Sequence, residues 1–268
     1  MEIKIARADP TGNITIFVLT PLDGMERTAA AKALLADTGL KAEQVGFVLP
    51  PQSSGGFWRL EMAGGEFCGN AGRGLGLLAA AQSGLSGKHT LTIETSGISG
   101  PLPVHIDTEA QSAEIEIPPP SCRTEICLEG RYYPVYEFEG ITHVIAENMQ
   151  PDEPFVRSLI RKLDEGCLAG KAPCSALGVM FYDGRKCYMR PVVWTRKLDA
   201  LVFESSCGSG CAALGVWAAR DAGDAELKID LPQPGGIITA SVTKQAGKIT
   251  RLSISGKVIL SAPFPYRY

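Results

Sequence analysis

CGNAGRGLGLLAAAQSG (Cys68–Gly84) and CGSGCAALGVWAARDAG (Cys207–Gly223) are two copies of one unusual cysteine segment. Laid on each other without gaps, they share Cys68-Gly69 with Cys207-Gly208 and Leu75-Gly76 with Leu214-Gly215. They also share Ala79-Ala80 with Ala218-Ala219, and a closing glycine, Gly84 with Gly223. After each Cys-Gly the pattern changes from strand-like to a small-residue helix, with Leu75, Leu78 and Trp217 among its apolar positions. Helices built from Gly and Ala have thin walls, so each half is expected to wrap a curved sheet about its own buried helix, with its cysteine at that helix's amino end.

The repeat extends outward. LTIE from Leu91 followed by SGISG matches LKID from Leu227 followed by PQPGG. Upstream, the helical stretch Arg27 to Thr38 leads into VGFVLPP, and Glu153 to Glu165 leads into LGVMFYD. Further strands are expected at Ile3 to Ala6, Thr15 to Leu19, Val45 to Leu49 and Trp58 to Met62. The pattern reads as a duplicated α+β unit, two pseudo-symmetric domains. Pro118 to Pro120 cannot lie in a central strand or helix and marks the main boundary. The expected domains are residues 1–118, completed by the C-terminal strand 259–268, and residues 119–258.

With 268 residues, 45% hydrophobic and 21% charged, the chain is long enough for a substantial core. A net charge of -3 gives no electrostatic reason to expect nucleic acid. MEIKIARADP alternates like a strand rather than a signal peptide, and no run approaches the roughly 18 apolar residues of a membrane helix. A cytoplasmic protein without a membrane partner is expected. Its eight cysteines match no small disulfide scaffold and read as reduced thiols. There is no double CxxC and no paired histidine at zinc spacing, so no metal site is expected. Cys122, Cys127, Cys167, Cys174 and Cys187 read as small buried apolar groups, and Cys211 as helix packing.

Cys68 and Cys207 read differently. Unpaired N–H groups and the dipole at a helix start favour a thiolate, lowering the thiol from about 8.5, and also favour a bound carboxylate. Gly69 and Gly208 let the backbone approach a ligand, while Asn70 and Ser209 can cap the helix or hydrogen-bond that ligand. A nearly planar intermediate approached from opposite faces by an acid and a base needs such a pair.

TGN at Thr11 to Asn13, EQVGF from Glu43, EFCGN from Glu66, ESSCGSG from Glu204 and QPGG from Gln233 carry a wider resemblance. Over essentially its whole length the chain resembles the diaminopimelate epimerase superfamily, cofactor-independent racemases and epimerases with one catalytic cysteine per half. Within it, the chain looks closest to the histidine racemases of staphylopine-type opine metallophore biosynthesis. Diaminopimelate epimerases carry a Glu-Arg-Gly segment before the second cysteine; here the stretch reads RKLDALVFESSCGSG.

The resemblance implies a diaminopimelate epimerase-like fold with the active site in the interdomain cleft, no cofactor, and an amino-acid substrate, most simply L-histidine. It implies that Cys68 and Cys207 are the two catalytic acid–base groups and that Asn13, Gln44 and Asn70 contact the substrate. The amides of Gly69, Asn70, Gly208 and Ser209 would hold the α-carboxylate. Glu43 would orient the ammonium or imidazole or tune a thiol, against the alternative of a solvated helix-end carboxylate. Glu204 is a weaker candidate, and Glu66 reads as a cap or solvated charge. Family members often pair, which keeps a homodimer open.

Diaminopimelate epimerase and proline racemase are the alternatives within the superfamily. Outside it stand a cysteine hydrolase with His143 as base, which leaves one thiol unexplained, and an amino-acid-binding protein, which needs no paired thiols. Facing thiols would also join as a disulfide on oxidation if their Cα atoms come within about 7 Å.

Overall fold

The computed structural model describes residues 1–167, 174–197 and 199–268; the side chain of Cys167, read above as a buried apolar group, lies outside the described residues. The chain divides into two compact units, Met1–Ile117 with Ser253–Tyr268, and Pro118–Leu252.

The first unit runs β1 (Glu2–Asp9), β2 (Thr15–Val18), α1 (Gly24–Ala36), β3 (Gln44–Leu49), β4 (Arg59–Met62), α2 (Gly69–Gln82), β5 (Lys88–Thr95), β6 (Leu102–Asp107) and β7 (Ser112–Glu116). Its strands are ordered β7-β6-β5-β4-β3-β2-β1. The parallel neighbours β2 and β3 are joined through α1, and β4 and β5 through α2, as parallel pairing requires a crossover. Helix α1 begins before Arg27 because Asp23 accepts from the Met25 and Glu26 amides while the Glu26 carboxylate accepts from the Asp23 amide, a reciprocal cap.

Helix α2 is buried from Gly69 through Ala80, with Leu75 and Leu78 at 0% exposure. Its glycines make that burial feasible. A Cβ on Gly72 would stand 2.6 Å from Ile115 Cδ1 and one on Gly76 would stand 2.6 Å from Val104 Cγ1, so the helix backbone lies directly on β7 and β6.

The second unit runs β8 (Cys122–Leu128), β9 (Arg131–Phe138), β10 (Ile141–Glu147), α3 (Glu153–Lys162), β11 (Ala176–Asp183), β12 (Tyr188–Thr195), β13 (Ala200–Phe203), α4 (Gly208–Ala218), β14 (Glu226–Gln233) and β15 (Gly236–Gln245). Strands β13-β12-β11-β10-β9-β8 form one sheet. Its parallel pair, β10 and β11, is joined through α3 and is buried almost throughout. The order parallel strand, helix, parallel strand, antiparallel strand, Cys-Gly, helix, strand thus recurs in both units, with β13 as an addition in the second. Strand β16 (Lys248–Lys257) then carries the chain back to the first unit, where Ser253–Lys257 pair with β7. Strands β17 (Ile259–Leu260) and β18 (Phe264–Arg267) close on β1.

Strands β6 to β10 are absent from the sequence patterns named above. Turns such as Glu129-Gly130 between β8 and β9, with φ of 51° and 77°, give a hairpin signal that is weaker than the cysteine repeat. Pro118–Pro120 lie outside any strand or helix. Four cysteines depart from their expected burial: Cys122, Cys127 and Cys174 are half-buried, and Cys187 is exposed, at φ 49°, where the turn between β11 and β12 faces solvent.

Candidate active site

Each cysteine is the N-cap of its buried helix, with nearly identical backbones: φ −129°, ψ 105° at Cys68 and φ −129°, ψ 111° at Cys207. An N-cap residue is extended while its carbonyl already accepts the first helical bond, here from Gly72 and Cys211. Gly69 and Asn70, and Gly208 and Ser209, therefore supply first-turn amides that a helix cannot pair internally. Both thiols are buried, at 8% and 6% exposure.

Around Cys68 the partners are amides. Its Sγ accepts from the Ala71 N–H at 3.3 Å, donates to Gln44 Oε1 at 3.0 Å, and lies 3.9 Å from Asn13 Oδ1. Asn13 follows the Thr11-Gly12 turn, both residues at positive φ, held by the Gly12 amide donating to Asp9 Oδ1 at 2.7 Å. The Ile14 carbonyl accepts from the amides of both Glu43 and Gln44, bringing the start of β3 beside Asn13. Glu43 accepts from Asn13 Nδ2 at 2.8 Å. It precedes a strand and is tied to the cluster, which corrects the alternative of a solvated helix-end carboxylate. Glu66 is partly buried, its carboxylate folded over Gly64 and its carbonyl accepting from Ser96 Oγ at 2.9 Å.

Around Cys207 the partners are hydroxyl and imidazole. The Cys207 amide donates to Gln233 Oε1 at 2.8 Å, and Gln233 Nε2 donates to Cys211 Sγ at 3.2 Å. Cys207 Sγ lies 3.7 Å from Ser209 Oγ, which in turn lies 2.9 Å from His143 Nε2. His143 is 0% exposed on β10, and its Nδ1 edge abuts Gly178 of β11. It reaches Cys207 through Ser209 in this arrangement, rather than as the directly bonded base a hydrolase would use.

Burial pushes the Cys207 thiol well above the ordinary thiol range; the Glu204 carboxylate adds to the rise, and the Gly210 amide and Ser209 hydroxyl oppose it. This corrects the helix-start expectation at Cys207. Removing a charge from water costs more here than the helix terminus returns. Glu204 lines an open pocket of about 350 Å³ on the second unit with Arg190, Phe203 and Ser205. The His143 imidazole is pushed down from 6.5 to about 3, chiefly by burial, and is neutral at ordinary pH.

Between those two values the unfolded chain binds a proton that the native protein does not, so stability falls as pH drops from about 6.5 toward 3. The largest slope from this one group is about 1.4 kcal/mol per pH unit. Urea unfolding at pH 7, 6, 5 and 4 should show His143→Gln losing less stability than the parent across that range. Parallel curves would remove His143 as an acid-sensitive element.

The family model described as the histidine racemase CntK N-terminal domain matches residues 2–263. The chain belongs to this histidine racemase family. A histidine racemase of Fusobacterium nucleatum is 31% identical over 225 residues, covering 80% of this chain and 81% of that protein. A Staphylococcus aureus histidine racemase is 29% identical over 266 residues, covering 96% and 94%. Among solved structures, a hydroxyproline epimerase of Agrobacterium vitis superposes at a TM-score of 0.68 with 13% identity, covering 98% of this chain and 92% of that one. A predicted epimerase of Pseudomonas aeruginosa superposes at 0.67 with 15% identity, covering 98% of each chain. The fold is thus a mixed α/β arrangement of large sheets and few helices of the kind seen in proline racemase-type and epimerase proteins, and this family member is an isomerase of the racemase class.

For this histidine racemase family member the structure gathers Cys68, Asn13, Gln44, Asn70 and Glu43 in one cluster, and Cys207 and Ser209 in another. Two further residues belong to these clusters. Arg73, at 0% exposure, joins the first cluster, and its signal was an arginine inside an otherwise Gly, Ala and Leu helix. Gln233 anchors the Cys207 amide, and its signal was its place in QPGG. Among the described residues, no group of three or more His, Cys, Asp or Glu side chains could hold a metal, and no helix is long and apolar enough to cross a membrane.

Proposed function

We propose that this protein interconverts L- and D-histidine without a cofactor, one thiol of the Cys68–Cys207 pair acting as base and the other as acid on opposite faces of a single Cα. The observation that carries this reading is the matched N-cap conformation of two buried cysteines at equivalent places in a duplicated unit. The histidine substrate rests on the relatives, histidine racemases that this chain matches over most of their length.

The chemical difficulty is that a Cα proton is far less acidic than a thiol. Charge developing on the α-carboxylate and Cα would be met by preorganised N–H groups, those of Gly69, Asn70, Gly208 and Ser209, in a site from which water is excluded. Cys207, held protonated by its burial, suits the role of acid in one direction, with Cys68 as base. With the opposite enantiomer the roles reverse. Asn13, Gln44, Asn70 and Glu43 are the proposed substrate contacts. A diaminopimelate epimerase-like arrangement of the two units belongs to the same proposal, as do a cytoplasmic setting and a role in metallophore biosynthesis.

Proton NMR in deuterated water with reductant tests this directly, using L-histidine, meso-diaminopimelate and L-proline. Cα–H exchange with formation of D-histidine, fastest for histidine, is the expected result. Fastest turnover of meso-diaminopimelate would replace histidine as substrate, and absence of exchange with all three would overturn the proposal.

A further inference from the structure

Arg73 is the largest fully buried side chain among the described residues. A buried guanidinium is costly unless hydrogen bonds and an opposite charge compensate it. Its NH2 group donates to Asn70 Oδ1 at 2.8 Å, Asn70 Nδ2 donates to Asn13 Oδ1 at 3.2 Å, and Asn13 Nδ2 donates to Glu43 Oε2 at 2.8 Å. Three consecutive bonds therefore run in one direction, from a cation to a carboxylate, through two side-chain amides at 1% exposure.

The ends of this chain decide its middle. An asparagine amide can turn over at little cost when its neighbours both donate and accept. Here a turned Asn70 would present its NH2 to a guanidinium, and a turned Asn13 would present its oxygen to a carboxylate. Both turned states place like partners together in a buried site, where such a mismatch is most costly. The same Asn13 oxygen lies 3.9 Å from Cys68 Sγ.

We infer that Arg73 is a positioning residue: its charge, opposed by Glu43, locks the amide orientations of Asn70 and Asn13 and thereby sets which of their atoms face the Cys68 thiol and the substrate. Arg73 acts through the two asparagines, and its charge rather than its bulk carries the role. The inference rests on Cys68 serving the racemisation proposed above, so its test includes a readout made without substrate.

The experiment is a double-mutant cycle of Arg73→Met, Glu43→Gln and the pair, with Arg73→Lys as the conservative variant, read as kcat/KM for histidine. It is accompanied by hydrogen exchange of the asparagine side-chain NH2 signals in ligand-free protein labelled with 15N-asparagine. Arg73→Met and Glu43→Gln should each lower kcat/KM about 10-fold or more, the range for residues coupled in one hydrogen-bond network. The double variant should be little worse than the poorer single one, since either loss already unlocks the amides. Arg73→Lys should recover part of the activity, and the slowly exchanging NH2 protons of Asn13 and Asn70 should become fast in Arg73→Met and in Glu43→Gln.

Multiplicative losses in the double variant, or unchanged NH2 exchange in Glu43→Gln, would overturn the inference. If Arg73→Met does not fold, Glu43→Gln and Arg73→Lys decide it by the same exchange readout. Faster exchange in those variants from a protein that racemises nothing would leave the lock standing and remove the proposed reaction instead.

Discussion

Cys207→Ala is expected to cut racemisation by about 10³-fold or more, with Cys68→Ala close behind, because each removes one of the two proton-transfer groups and such groups contribute about 10² to 10⁴. Cys207→Ala should leave the fold intact, because Cys207 uses its backbone amide, not its sulfur, to bond Gln233, whereas Cys68→Ala also removes the α2 cap to the Ala71 N–H, at a cost of about 0.5 to 2 kcal/mol. The decisive signature is stereochemical. With one thiol left, deuterium can still enter Cα from that thiol's face for the enantiomer that presents its proton there, but inversion is lost. Exchange with retention for one enantiomer in Cys68→Ala, and for the other in Cys207→Ala, is what NMR in deuterated water should record. Full racemisation in either variant would sink the two-thiol assignment. A nucleophilic hydrolase would instead depend on one cysteine and tolerate loss of the other.

The second large effect is on stability. Gly97→Ala is expected to cost about 2 to 5 kcal/mol, combining the strain of a left-handed conformation for a residue with a Cβ and overpacking against a rigid neighbour. Gly97 has φ +74°, and a Cβ there would overlap the Phe67 backbone nitrogen, with Glu66 C at 2.6 Å and Phe67 Cα at 3.0 Å. Those atoms are main chain and cannot rotate away as a side chain could. They also belong to the turn that presents Cys68, which the neighbouring Ser96 hydroxyl ties through its bond to the Glu66 carbonyl. The strain is therefore delivered to the thiol's own support, and kcat should fall together with the urea midpoint. Gly100→Ala is the control: Gly100 has φ +81° but nothing within 4 Å of its Cβ position, so it carries only the conformational part of the cost. Equal losses at the two positions would show that contact with the Cys68 turn contributes nothing.

The amino-acid sequence by itself determined the features that local patterns encode. The ungapped match of Cys68–Gly84 with Cys207–Gly223 specified two thin-walled helices with a cysteine at each start, because Gly and Ala spacing and a strand-to-helix change are visible in a single segment. The same segments, with TGN and EQVGF, were enough to reach the histidine racemase family. Tertiary structure decided what depends on residues far apart in the chain. Equivalent N-caps received unlike surroundings: amides from β3 and the Thr11–Asn13 turn at Cys68, and His143 from β10 through Ser209 at Cys207. The protonation of Cys207 went against the helix-start rule because burial, a property of the whole unit, outweighs the few N–H groups that the rule counts. Arg73 follows the same reasoning. Its position in a small-residue helix is local, but its significance required Asn13 and Glu43, some 60 and 30 residues earlier in the chain, to meet Asn70 in one buried line. Local backbone preference can be read along the chain, whereas burial and electrostatic pairing are set only once distant segments have packed.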